Sequence, residues 1–153
     1  MKSKIILALF FGLLTHFSAF AQSEEAQVEA VIRSLFDGMR SKNSDQVAAA
    51  FSQDAIMQTV ISKPEAISVG SNAVADFVKR IASTPAETHL DERIMDYQIK
   101  VDGQMAAAWT PYQFFVNGNF SHCGVNSFQL VKFANGWKIV YIIDTRRKEN
   151  CED

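Results

Sequence analysis

The chain has 153 residues, of which 48% are apolar, 21% charged and 11% aromatic, with a formal charge of −2. That profile is one ordered globular domain and excludes a disordered chain, a collagen-like repeat and a coiled coil. Three prolines, seven glycines and no low-complexity tract leave no interdomain linker, so a catalytic site at a domain boundary is not expected.

The chain starts with Lys2 and Lys4, an unbroken apolar stretch from Ile5 to Leu14, and Ala19-Phe20-Ala21 ahead of Gln22. This order predicts a secretory signal peptide over residues 1–21, its apolar run too short to span a bilayer, cleaved after Ala21. The residue immediately after that point is Gln22, not a cysteine, so no lipid anchor is indicated. The remaining domain, 22–153, has 132 residues, and loss of Lys2 and Lys4 leaves 13 Lys and Arg against 17 Asp and Glu, a formal charge of −4. The expected location is periplasmic or secreted. An acidic chain whose only basic cluster, Arg146-Arg147-Lys148, lies among acids is a poor partner for nucleic acid. No membrane span is expected after cleavage.

From Ser23 to about Lys42, Val28, Val31, Ile32, Leu35, Phe36 and Met39 recur at three- and four-residue steps behind a serine cap and two first-turn glutamates. The spacing predicts an amphipathic helix. Asn43-Ser44 opens a second, short helix that ends at Asp54, before a β-rich stretch from Ala55 to Ile61 and a turn at Lys63-Pro64. After an extended piece at Ile67 to Val69, Gly70-Ser71 opens a third helix with Val74, Phe77, Val78 and Ile81 on one stripe, closing before Pro85.

Beyond His89 the period changes. Arg93–Val101, Ala106–Val116, Phe120–Phe133 and Trp137–Thr145 are β-branched and aromatic runs separated by Asp102-Gly103, Asn117-Gly118 and Asn135-Gly136. Such dipeptides mark hairpins, so the second half is expected to be an antiparallel meander of four long strands, covered on one face by three helices and a short hairpin. Helices first and strands after indicate an α+β fold, not a parallel βαβ sheet.

Two-residue turns at the last two dipeptides would place Trp109, Gln113, His122, Asn126, Phe128, Leu130, Ile139, Tyr141, Ile143 and Thr145 on one face, the more apolar of the two. Tyr112, Phe114, Cys123, Asp144 and Arg146 would point the other way. The same counting at Asp102-Gly103 turns Glu92 and Asp96 inward and Ile99 and Tyr97 outward; a bulge at Gly103 restores Ile99, Tyr97, Met95 and Arg93 to the inside. The inward polar side chains Gln113, His122, Asn126 and Thr145, with Trp109 and Arg93, then gather at one end of the sheet. A pocket with a hydrogen-bonding mouth is expected there, the alternative being a sheet end that meets solvent.

Cys123 and Cys151 are the only cysteines. In an oxidising compartment a disulfide between them would constrain the unfolded chain by about 3–4 kcal/mol; two separate thiols are the alternative. No metal-ligand spacing and no cofactor motif occurs.

Trp109-Thr-Pro-Tyr-Gln-Phe-Phe, Phe120-Ser-His-Cys-Gly-Val-Asn-Ser-Phe-Gln-Leu-Val, Gly136-Trp-Lys-Ile-Val and Asp144-Thr-Arg-Arg resemble the nuclear transport factor 2-like (SnoaL-like) superfamily. Within it they are most similar to the putative lumazine-binding family. The resemblance implies a cone of three helices inside a strongly curved, mostly antiparallel sheet (a cystatin-like fold), a ligand cavity at the wide end, and a homodimer through the sheet. Superfamily enzymes such as ketosteroid isomerase and scytalone dehydratase set an acid, a histidine or a tyrosine against a hydrophobic substrate. His122 is the candidate acid-base here, because it points inward and titrates near neutrality, but it lacks a carboxylate partner in this register. The function read from the sequence is therefore an exported small-molecule-binding protein, with Trp109 stacking on the ligand and Gln113, His122, Asn126, Thr145 and Arg93 around it. The alternatives are an isomerase- or dehydratase-like lyase using His122 and a structural dimerisation module.

Overall fold

The computed structural model describes residues 22–151; the signal peptide assigned to 1–21 lies outside the described residues. Helix α1 (Glu24–Ser41) starts where Ser23 Oγ accepts the Ala26 amide at 3.2 Å, with Glu24 and Glu25 against the positive end of the helix. It ends at Lys42, whose left-handed φ of 57° lets its amide reach back to the last turn. Asn43 caps α2 (Ser44–Ala50), and α3 spans Val74–Ala82. The strands are β1 (Phe51–Lys63), β2 (Ala66–Ala73), β3 (Leu90–Ile94), β4 (Gln98–Asp102), β5 (Met105–Val116), β6 (Asn119–Phe133) and β7 (Gly136–Asp144).

The strands form one curved, unclosed sheet in the order β2-β1-β7-β6-β5-β3, with β4 also on β5. All pairs are antiparallel except β1 with β7. The fold is α+β, as expected, with two differences in detail. The early hairpin is not a separate cover: β1 begins at Phe51 and adds itself and β2 to the sheet, and β2 absorbs Gly70–Ala73, so α3 starts only at Val74. The run Arg93–Val101 is not one strand but two, because Met95–Tyr97 breaks it.

Val28, Ile32, Leu35, Phe36 and Met39 bury one stripe of α1 against Phe128, Leu130 and Ile139 of the sheet. Phe36 meets Phe128 edge to face at 6.3 Å between centroids. Glu24 ties the start of α1 to the β6–β7 hairpin, accepting from Lys132 Nζ at 2.6 Å and Trp137 Nε1 at 2.9 Å.

Register departs from simple hairpin counting in three places. The Asn117-Gly118 turn pairs Val116 with Asn119 as expected, but Phe115 then pairs with Phe120 and Phe114 with His122, leaving Ser121 as a one-residue bulge. Past it, the face of β6 holding His122, Asn126, Phe128 and Leu130 joins Phe114, Tyr112, Thr110, Ala108 and Ala106 of β5. The expected inward set of β5, including Trp109 and Gln113, is thereby turned outward. In β7 Ile139 pairs with Leu130 and faces inward as expected, but Tyr141 pairs with Gln129, so Val140 is a second bulge; Ile142 and Asp144 face inward where Tyr141 and Ile143 were expected. The Gly103 bulge does not exist. Asp102 pairs with Met105 across a two-residue turn, and Ile99 and Val101 face inward because they oppose Ala108 and Ala106. The one-residue shift at Met95–Tyr97 then brings Glu92, opposite Phe114, onto the same inner face.

Candidate functional site

Between the helices and the inner face lies a cavity of about 340 Å³. Leu35, Phe36 and Met39 of α1, Phe77 and Ile81 of α3, and Ile142 supply its apolar wall. Glu92, Tyr112, His122, Asn126, Asp144 and Arg146 converge at the other end. The two bulges make this convergence: without them Tyr112, Asp144 and Arg146 would lie on the opposite side of the sheet from His122 and Asn126.

Asn126 is buried, and its Nδ2 donates to Glu92 Oε1 at 2.8 Å. Desolvation pushes the Glu92 carboxyl up to about 7, reinforced by the charge of Asp144 and opposed by the Asn126 amide and by Arg146. Asp144 is a junction: its Oδ1 accepts from Thr59 Oγ1, and its Oδ2 from Arg146 Nε at 2.7 Å and more weakly from Tyr112 at 3.4 Å. The Tyr112 hydroxyl donates mainly to the carbonyl oxygen of Thr145 at 3.0 Å. Burial, with Glu92 and Asp144 nearby, drives the Tyr112 phenol upward, so it is a neutral donor at any physiological pH.

His122 Nδ1 lies 3.0 Å from Ser121 Oγ, and its ring packs between Tyr112 and Phe114, with centroids at 5.7 and 5.3 Å. Burial and Arg146 lower its pKa, keeping the imidazole neutral at pH 7. Among the described residues no carboxylate is hydrogen-bonded to it, so it lacks the orienting partner that an acid-base histidine uses.

Of the side chains assigned to the pocket from sequence, His122 and Asn126 line it and four do not. Trp109 is on the outer face, 50% exposed, opposite Gln98 and Ser127. Gln113 shares that outer face, paired with Arg93 and Cys123. Arg93 stacks over Phe115 at 4.1 Å and pairs with Asp91. Thr145 sits just past β7, where its Oγ1 accepts the Val125 amide at 3.2 Å. The first three are displaced by the Ser121 bulge and the break at Met95–Tyr97, and Thr145 by the bulge at Val140. Tyr112 and Asp144, excluded by simple register, and Glu92, turned outward by the bulge assumed at Gly103, are the residues that sequence reasoning missed. The signal for them was the misfit of Ile99 at the Asp102-Gly103 turn, which required β5 to be inverted and not the turn to be bulged. Cys123 and Cys151 are joined in a disulfide, their Cα atoms 5.8 Å apart.

The family model described as putative lumazine-binding matches residues 23–142, and the chain belongs to that family, within the nuclear transport factor 2-like superfamily. No curated protein matches the chain. A nuclear transport factor 2-like protein with a cystatin-like fold from Novosphingobium aromaticivorans superposes with a TM-score of 0.66 at 14% identity, covering 83% of this chain and 84% of its own. One of unknown function from Shewanella baltica gives 0.59 at 16% identity, covering 80% and 93%. A putative dehydratase from the nuclear transport factor 2-like family of Streptomyces avermitilis gives 0.60 at 14%, covering 79% and 94%. At these identities the likeness establishes the fold.

Proposed function

We propose that the chain is exported, cleaved after Ala21, and acts in the periplasm or outside the cell as a small-molecule-binding protein. Its ligand enters the cavity between the helices and the sheet. The observation that carries this reading is the cavity itself: about 340 Å³, apolar along α1 and α3 and polar at one end. That is the size and division of lining found in small-molecule sites. The family's description favours a flat heterocycle, with its ring against Leu35, Phe36 and Met39 and its polar edge toward Asn126, His122 and Glu92. A thermal-shift screen of heterocycles and hydrophobic metabolites tests it. A hit should stabilise wild type and Trp109→Ala equally and lose its effect in Asn126→Ala; dependence on Trp109 with indifference to Asn126 would contradict it.

A second reading, an isomerase- or dehydratase-like lyase, is favoured by one observation: Glu92 lines the cavity, held by Asn126, where desolvation pushes its carboxyl up to about 7. A group so poised can take and return a proton at neutral pH, a task for which His122 has no orienting carboxylate. Glu92→Gln would then abolish turnover while ligand binding persists. The exposed apolar residues Met105 and Trp109 on the outer face support a homodimer formed through the sheet, to be tested by sedimentation of wild type against Trp109→Glu.

A further inference from the structure

The reading of the cavity as a ligand site can be carried further, to the ligand's charge. Glu92 enters the cavity between Phe114, its cross-strand neighbour, and Asn126, with Phe36 of α1 on the same wall. The Asn126 amide satisfies one of the roughly four acceptor positions of a carboxylate. The other charges around it are committed elsewhere. Arg146 is held by Asp144 and has a side chain 54% exposed, and Arg80 lies at the rim, its guanidinium 5.9 Å from the centre of the Phe77 ring. On the outer side of the wall, Arg33 pairs with Glu29, Arg40 with Asp37 and Asp91, and Arg93 with Asp91. Among the described residues no ion pair reaches Glu92.

An acid set among aromatic rings, with no ion pair to any cation among the described residues and only the charge of Arg146, itself paired with Asp144, acting on it, is the chemistry that recognises an ammonium: the carboxylate supplies the countercharge and ring faces add cation–π attraction. We propose that the cavity takes a ligand carrying a protonated amine on a flat apolar body, the ammonium against Glu92, Phe114 and Phe36 and the body against Leu35, Met39 and Ile142. A neutral ketone or alcohol would offer the ionised form of Glu92 no countercharge and leave the carboxyl protonated, and a carboxylate ligand would be repelled by that ionised form.

Three probes of one shape separate these cases: tryptamine, tryptophol and indole-3-acetate, titrated at pH 7 into the full mature chain by calorimetry. Tryptamine should bind at least about tenfold tighter than tryptophol, and indole-3-acetate more weakly than both. Glu92→Gln should erase the preference for the amine, and Glu92→Asp, which keeps the charge, should retain part of it. Equal or tighter binding of tryptophol overturns the ammonium assignment while leaving the cavity as a binding site. Binding by none of the three overturns the assignment as well. A preference that survives Glu92→Gln shows the amine is read elsewhere and also overturns it. The wild-type ratio decides the matter even if a variant fails to fold.

Discussion

A Cβ placed on Gly124 would lie 1.8 Å from the carbonyl oxygen of Thr145, so the chain leaving β7 approaches β6 at a distance only glycine permits. That carbonyl is turned to accept the Tyr112 hydroxyl, and the Val125 amide is satisfied instead by Thr145 Oγ1. Gly124 thus sets the position of the phenol that borders the cavity. Gly124→Ala must displace backbone, and the expected cost is about 3 kcal/mol with a shifted Tyr112 environment. Thermal unfolding and the tyrosine near-ultraviolet circular dichroism check it; an unchanged midpoint would mean the approach relaxes freely.

The Glu92 carboxyl gives stability a pH dependence of defined sign. Its folded pKa of about 7 stands above the ordinary glutamate value of 4.5, so between those values the native state holds a proton that the unfolded chain has released. Stability contributed by this group is greatest below the lower value and declines as pH rises to about 7, by at most about 3 kcal/mol. Glu92→Gln removes the decline. The variant should match wild type near pH 4.5 and melt higher at pH 8; parallel melting curves at both values would show that the carboxyl is hydrated.

The disulfide fixes the segment that carries the Thr145 carbonyl. Cys123 and Arg147 exchange two backbone hydrogen bonds at 2.8 Å, and the bridge to Cys151 closes that segment onto β6. With the cysteines 28 positions apart in sequence, its loss should cost about 3–4 kcal/mol on the chain-entropy model. Cys123→Ser with Cys151→Ser, or reduction with dithiothreitol, should lower the melting temperature by about 10 °C and speed amide exchange at Arg147. Exchange that stays slow at Arg147 would show that β6 holds the segment alone.

The two faces of the sheet should respond in opposite ways to truncation. Phe128, fully buried beneath Phe36, should cost about 3–5 kcal/mol on conversion to alanine. Trp109→Ala, on the outer face, should change monomer stability by less than about 1 kcal/mol. Chemical denaturation of both variants measures the contrast, and a large loss at Trp109 would place that side chain in a contact between copies of the chain.

Why part of this molecule was legible in its sequence, and part was not, comes down to periodicity. The α1 stripe, the Ser23 cap and the Asn117-Gly118 turn are local signals, each enforced within a few residues, and each stands in the structure. His122 and Asn126 reached the correct face because they lie on the strand whose inward stripe, Phe128 and Leu130, is unmistakable. Tyr112, Asp144 and Glu92 depend on a residue's worth of slippage at Ser121, Val140 and Met95–Tyr97, and side-chain alternation inverts completely with each slip. A bulge leaves no compositional mark. The available clue was that apolar Ile99 and Val101 demand small inward partners, and Ala106 and Ala108 supply them only if Trp109 faces out.

The most direct test of a ligand site inside the cone is a methyl-resolved nuclear magnetic resonance titration with any compound that stabilises the protein. The account expects shifts confined to the methyls of Leu35, Met39, Met57, Ile81, Leu90 and Ile142, which line the cavity. Shifts centred on Met105, Val131 and Ile143, on the outer face of the sheet, with the cavity methyls unmoved, would contradict it.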